Sequence, residues 1–437
     1  MKFDLGIIGG GPAGYTAAFQ ARKSGKTVVL FEKDLIGGVC LNRGCIPTKT
    51  ILHSAEIFEE MKNSASLGIE ASDVKIDFEK VMARKDEVVS KIRKNLELAL
   101  KNSGAIIVKE FAQIVDSKTI KAAGEIYECE KIICAIGSEP AIPAEFRHDG
   151  KFILSSDDIL NLKTLPKSIV IAGSGAIGTE WARILSSFTV DVTVVEAAER
   201  LLPSADFEVS KRLERIFKTK KIKFHTSTMI QNIEIAKTPA PADNNSESGK
   251  PLADEKSESP ILRVKLSSGE TLQTDIVLFA AGRKPLEHKK NDGVKYIGDV
   301  SGKIQLAHFA IKQALFESGD IQFCESLIPS VIYGCPEISW VGKREQDLEA
   351  GSFQKSVYLV SALGKSHCDN CTDGFIKILS RNGLIIGAHI ISKEASALIQ
   401  QIIIAMQNNI PVEKLKEVCF AHPTYSEGIF ECLCNLK

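Results

Sequence analysis

With 55 basic and 55 acidic side chains among 437 residues, the chain carries no formal net charge, so it has no basic footprint for nucleic acid or an anionic membrane surface. The length suits about three domains, and no apolar run approaches the roughly 20 residues that span a bilayer. The opening MKFDLGIIGG lacks the charged region and cleavage site of a signal peptide, which points to a cytoplasmic chain with small or neutral partners.

The first element is an apolar strand, FDLGII, breaking into GGGPAG and then a helix from Pro12 to Ser24. Gly9, Gly11 and Gly14 give the spacing G-x-G-x-x-G: a tight turn, close backbone approach to a pyrophosphate, and close packing of helix on strand. The phosphates would lie at the helix N-terminus, where free N–H groups favour anions. The next strand, TVVLFE, ends in Glu32, 23 residues after Gly9, where an acid can accept from ribose hydroxyls.

GGVCLNRGCIPTK follows, with Cys40 and Cys45 five residues apart and Lys49 at its end. Five residues of helix rise about 7.5 Å, whereas a disulfide wants Cα atoms about 4.4–6.8 Å apart. A bridge here therefore needs a distorted helix, which Gly44 would permit. A strained, accessible disulfide is readily reduced and suits a catalytic dithiol. Two free core cysteines are the alternative from spacing alone.

A helix is predicted over 78–102, then strands from 105 to 114, and IICAIGSEP closes the unit on Gly137. Residues 138–167 carry three prolines and read as a connection. The whole unit then recurs: SIVIAGSGAIG with Gly173, Gly175 and Gly178, VDVTVVE ending in Glu196 after the same 23-residue interval, and VLFAAGRKP with Gly282. Glu196 would repel a ribose 2′-phosphate, so this site should prefer NAD to NADP. Residues 237–260 are polar and Pro-rich and read as a disordered excursion.

After Gly298 and Asp299 comes an apolar helix, and from Val331 the pattern changes to strands, with a hairpin turn at Asn382 and Gly383. Two further helices precede AHPTYSEG, where His422, Pro423 and Glu427 suggest an imidazole oriented by a carboxylate. A surface helix cap is the alternative. Cys368 with Cys371 and Cys432 with Cys434 could together offer four thiolates to zinc, but such spacing in one sequence is weak ground. Incidental thiols are the simpler reading, and no metal is expected.

The expected fold class is α/β: two Rossmann-like dinucleotide-binding domains and a smaller C-terminal α+β domain. The boundaries are 1–143, 144–283, a returning segment of the first domain at 284–326, and 327–437.

GGVCLNRGCIPTK resembles the redox motif GGTCLNxGCIPSK of the pyridine nucleotide-disulfide oxidoreductases, and AHPTYSEG resembles their C-terminal HPTxSE. GGGPAG, VTVVE, AAGRKP, GDVSG, LAH and TDGFIKIL extend the likeness over nearly the whole chain. The dihydrolipoamide-oxidising branch matches best, since the glutathione-reducing branch usually reads CVNVGCVPKK. The resemblance implies FAD on the first unit, with Lys49 beside the flavin, Asp299 on the ribityl chain and Ala307 nearby. It implies NAD on the second unit, with Glu180 pairing the lysine. It further implies a homodimer through the C-terminal domain, in which His422 and Glu427 of one protomer face the dithiol of its partner. Cys40 would meet substrate and Cys45 the flavin. The protein partner would be a lipoyl domain of a 2-oxo acid dehydrogenase or glycine cleavage assembly. The rivals are another disulfide or mercuric reductase, or a catalytically silent FAD-binding assembly subunit.

Two departures stand out. Only 15 residues separate Arg283 from Asp299, which should shorten the returning segment, and Phe420 stands where the family usually has a second histidine.

Overall fold

The computed structural model describes residues 1–236, 261–322 and 325–436, so the expected excursion at 237–260 lies outside the described residues. Among the described residues the fold is mixed α/β, built on a seven-stranded mixed sheet, a five-stranded parallel sheet and a five-stranded antiparallel sheet, with two smaller antiparallel sheets beside them.

In the first unit β1 (Lys2–Ile8), α1 (Pro12–Lys23) and β2 (Val28–Phe31) follow the predicted order. Next come α2 (Gly38–Arg43), α3 (Cys45–Lys62), and α4 (Phe78–Asn102), whose first turn Asp77 caps by accepting from the Lys80 N–H at 3.1 Å. The strands β3 (Ile106–Val108), β4 (Ala112–Ile114), β5 (Thr119–Ala122) and β6 (Glu125–Cys134) complete its sheet, in the order β3-β2-β1-β6-β5-β4. All four residues of β2 are buried, as expected of a parallel strand covered on both faces.

The connection at 138–167 holds two short strands, β7 (Ser138–Pro140) and β8 (Ile153–Leu154). The second unit then repeats the first: β9 (Ser168–Ala172), α5 (Ala176–Ser187), β10 (Asp191–Val195), α6 (Phe207–Thr219) and β11 (Lys223–His225). The antiparallel strands β12 (Ile230–Ala236), β13 (Ile261–Leu266) and β14 (Thr271–Thr274) intervene before β15 (Ile276–Phe279) returns to the sheet. Its order is β11-β10-β9-β15-β8, so the path β3-β2-β1-β6 of the first sheet matches β11-β10-β9-β15 of the second. Helix α5 is buried from Gly178 to Leu185, including Glu180 and Arg183.

β16 (Arg283–Pro285) pairs antiparallel with β7, tying the two crossings between units into one ribbon. The shortened segment still supplies a strand, β17 (Lys295–Tyr296), parallel to the end of β6. It then turns through Gly298–Ser301 into α7 (Ala307–Glu317), and Ile297, Ala310 and Ala314 join the core of β1 and α1.

The C-terminal part has β18 (Ser330–Ile332), β19 (Glu337–Gly342), β20 (Gln354–Leu359), α8 (Gly364–Cys368), β21 (Phe375–Arg381) and β22 (Leu384–Ser392). Its antiparallel order is β18-β19-β22-β21-β20, with the predicted hairpin at Asn382 and Gly383. α9 (Ala395–Gln407), α10 (Val412–Lys416) and α11 (Glu427–Asn435) follow, and α9 and α11 pack on this sheet. Among the described residues no helix is long and apolar enough to cross a membrane.

One buried charge cluster joins the second unit to this sheet. Lys377 of β21 and Asp206, the N-cap of α6, are both fully buried and 2.9 Å apart, with Glu208 at 3.1 Å and Glu345 at 2.5 Å from the ammonium. Burial works against the Asp206 carboxylate, yet His389 and Lys377 hold its pKa below the ordinary value of 3.8. Its contribution is present above that value and is lost as pH falls towards the lower folded value. Lys377→Met, which leaves the acids uncompensated, should cost about 3–5 kcal/mol at neutral pH. Chemical denaturation checks this, and the gap from wild type should narrow at strongly acid pH.

Candidate active site

The dithiol is placed by a broken helix. α2 ends at Arg43, Gly44 takes the non-helical angles φ −151° and ψ −108°, and α3 begins at Cys45. The distortion that the spacing demanded thus falls at Gly44. Gly38, in the first turn of α2, has φ +59°, and a Cβ there would stand 2.7 Å from the Gly11 Cα. This contact holds the redox helix against the first nucleotide loop. Both thiols are free and half-buried.

The thiols share a hydrogen bond and are unequal. The bond to Cys40 lowers the Cys45 pKa against burial, and the Lys49 charge adds to this, bringing it to about 7. The bond to Cys45, with burial, pushes the Cys40 thiol well up. Cys45 is therefore the thiolate of the reduced pair.

Lys49 lies one turn along α3 from Cys45. Its Nζ donates to both oxygens of Glu180 on α5, at 2.8 and 3.0 Å. Burial opposes the ammonium, but Glu180 outweighs it and the lysine pKa is raised. Glu180, 6% exposed, also accepts from the Tyr333 N–H at 3.1 Å, and the Lys49 ammonium sits 4.6 Å from the centre of the Tyr333 ring. Tyr333 is a site residue that no motif signalled. Tyr15 of α1 is another: burial, then the charges of Cys40 and Cys45, raise its phenol.

The two glycine loops are built alike. A Cβ at Gly14 would lie 1.8 Å from the Gly9 carbonyl oxygen, and one at Gly178 would lie 1.9 Å from that of Gly173. Glu32 accepts from the N–H groups of Gly10 and Asp34 at 2.7 and 2.9 Å. Glu196 accepts from those of Ser174 and Ala198, both at 2.8 Å, and from the Ser174 hydroxyl at 2.6 Å. A carboxylate offers about four acceptor sites, so each acid keeps capacity for a ribose hydroxyl. Neither α1 nor α5 has a side chain capping its N-terminus. A Cβ at Gly11 would meet only the Gly38 Cα, at 3.7 Å, and one at Gly175, Gly137 or Gly282 would meet nothing within 4 Å. These loops fit two dinucleotides with their pyrophosphates at the helix ends.

Asp299 accepts from the Ser138 hydroxyl at 2.6 Å, which in turn accepts from Arg283 Nε at 3.0 Å. The Gln313 side chain of α7 accepts from the Gly298 N–H at 2.7 Å and holds this turn on the helix that Ala307 begins.

His422 and Glu427 meet as well. His422 Nδ1 is 2.8 Å from Glu427 Oε1, while Oε2 accepts from the Thr424 N–H at 2.8 Å. A carboxylate only accepts, so Nδ1 carries the proton and Nε2 is left as the base. The bond to His422 also holds the Glu427 pKa down. The imidazole is 77% exposed, and among the described residues no hydrogen bond joins it to Cys40 or Cys45 in the same chain. Phe420 packs its ring on Phe430 of α11, centroids 5.5 Å apart, anchoring the segment that carries His422.

The four-thiolate zinc arrangement is not assembled. Cys432 is buried with its thiol on the Ile376 carbonyl at 3.1 Å, Cys434 is exposed, and Cys371 approaches Cys335 rather than Cys368.

In the reduced protein, ultraviolet absorbance should include a thiolate with a midpoint near pH 7 that belongs to Cys45. Cys45→Ser should remove it, and Lys49→Met should move the midpoint upward.

Residues 3–321 match the sequence model of the pyridine nucleotide-disulphide oxidoreductases, and residues 328–432 match that of the family's dimerisation domain. A dihydrolipoyl dehydrogenase of Bacillus subtilis (strain 168) is 32% identical over 449 residues, spanning 99% of this chain and 98% of the relative. One from Chlorobaculum parvum is 33% identical over 455 residues, spanning 98% and 96%. Among solved structures, LpdA of Mycobacterium tuberculosis shares the fold, with a TM-score of 0.86 at 23% identity over 99% of each chain. Through both its nucleotide-binding and its dimerisation parts, the chain belongs to the pyridine nucleotide-disulphide oxidoreductases.

Proposed function

We propose that this protein is a dihydrolipoyl dehydrogenase, which reoxidises protein-bound dihydrolipoamide and reduces NAD. The observation that carries the reading is the unequal dithiol beside Lys49 and Glu180, in a chain matched end to end by relatives of that name. When bound, FAD supplies the two-electron acceptor for the dithiol and NAD the final hydride acceptor.

The chain's own residues do the proton and sulfur work. His422, held by Glu427, takes a proton at Nε2 from one dihydrolipoyl thiol. The resulting thiolate attacks the Cys40 sulfur of the Cys40–Cys45 disulfide, forming a mixed disulfide and releasing Cys45 as a thiolate. The second substrate thiol then attacks the substrate sulfur of that mixed disulfide, closing the lipoyl ring and releasing the Cys40 sulfur, which takes up the proton this second thiol loses. Cys45 suits the leaving role because its thiolate is stabilised near neutral pH.

His422 is exposed and, among the described residues, hydrogen-bonds neither thiol of its own chain, which supports a site completed across a homodimer, with the imidazole of one protomer over the dithiol of its partner. An exposed imidazole also leaves room for a lipoyl arm carried by a domain of a 2-oxo acid dehydrogenase or glycine cleavage assembly. A cytoplasmic setting fits this work.

Purified protein should be yellow and should form NADH from dihydrolipoamide and NAD. Cys40→Ser and Cys45→Ser should abolish this. His422→Gln should lower kcat by roughly 10²–10⁴ with the flavin spectrum retained. Turnover by Cys40→Ser at the wild-type rate would refute the mechanism. Because Glu196 opposes a 2′-phosphate, kcat/KM for NAD should exceed that for NADP, and steady-state assays with both cofactors check it.

A further inference from the structure

Cys371 lies three positions after Cys368, but the fold gives it a different neighbour. Its Sγ is 3.7 Å from that of Cys335. Cys335 sits in the turn between β18 and β19, Cys371 in the loop between α8 and β21, and both are half-buried. Behind Cys335 stands Arg183 of α5, 2% exposed, whose two terminal nitrogens have no hydrogen-bond partner. Its guanidinium packs against the neighbouring backbone: a Cβ at Gly334 would lie 2.4 Å from its Cζ and 2.6 Å from Nη1. A buried cation with both terminal nitrogens unpartnered, set behind a thiol that touches a second thiol, favours negative charge on sulfur.

We propose that Cys335 and Cys371 form a second redox pair, separate from Cys40 and Cys45, which closes to a disulfide by exchange with a small-molecule disulfide. The Cys335 thiolate attacks one sulfur of the small disulfide, breaks its S–S bond, and releases one thiolate, which takes up the proton Cys335 had lost. Cys371 then gives up its proton and attacks the Cys335 sulfur, forming the protein disulfide and expelling the second small thiolate, which takes that proton. Two protein thiols are oxidised, and one small disulfide is reduced to two thiols. The hydrogen bond from Cys371, against burial and with the Arg183 charge, lowers the Cys335 pKa, while its bond to Cys335 raises Cys371. Cys335 is therefore the attacking thiol and Cys371 the resolving one. The sulfurs must close from 3.7 Å to a bond length of about 2.05 Å. The pair also lies close to the main site, because Tyr333, two residues before Cys335, donates its N–H to Glu180.

The test incubates full-length holoenzyme with oxidised glutathione, blocks free thiols with iodoacetamide, and maps the peptides by mass spectrometry. The expected result is a cross-linked peptide joining Cys335 to Cys371 within one chain, with loss of alkylation at both. It should form equally in Cys40→Ser. In Cys371→Ser, Cys335 should stop at a single glutathionyl adduct. The proposal is overturned if both cysteines stay alkylated while Cys40 and Cys45 are oxidised, if the cross-link uses Cys368 or joins two chains, or if wild-type Cys335 retains glutathione.

Discussion

The carboxylate of Glu180 is the point on which the site depends. It is nearly buried, and each region of the fold contributes something to it. Lys49 reaches it from the redox helix at 2.8 Å, α5 of the second nucleotide unit carries it, and Tyr333 at the start of the C-terminal sheet donates its N–H to it. Burial opposes the Lys49 ammonium, and the ion pair with Glu180 outweighs it, raising the lysine pKa one turn from Cys45. Leu52 and Ala55 of α3 pack in the same core as Trp181 and Ile184 of α5 and Ile338 and Ile391 of the C-terminal sheet, so apolar burial and one ion pair fix the same geometry.

That geometry gives two thiols of one short motif different chemistry. Spacing alone leaves Cys40 and Cys45 equivalent. The break at Gly44 places Cys45 at the start of α3, and the hydrogen bond between the thiols stabilises charge on Cys45 at the expense of Cys40. The difference between the two sulfurs is thus an electrostatic property of the folded chain.

The repeated nucleotide unit was legible because its constraints are local and periodic. Gly9 and Gly173 begin turns that only a few residue types allow, and continuous apolar runs such as VVLF and IVLF mark parallel strands covered on both faces. His422 and Glu427 were legible for the same reason, lying five residues apart around one turn. The contacts of Tyr333, the approach of Cys335 to Cys371 and the β7–β16 ribbon were not legible. Each joins residues 36 or more apart in sequence, and no spacing rule connects them. The short segment before Asp299 leaves little chain for the return to the first domain, yet β17 needs only two residues to extend the sheet beside β6.

The most direct measurement of the central claim, that Cys45 is the thiolate facing the flavin, is the visible absorption spectrum of the holoenzyme before and after dihydrolipoamide. Wild type should gain a long-wavelength thiolate-to-flavin band on reduction, Cys40→Ser should show that band without any reductant, and Cys45→Ser should never show it. A band in Cys45→Ser, or none in reduced wild type, would contradict the account.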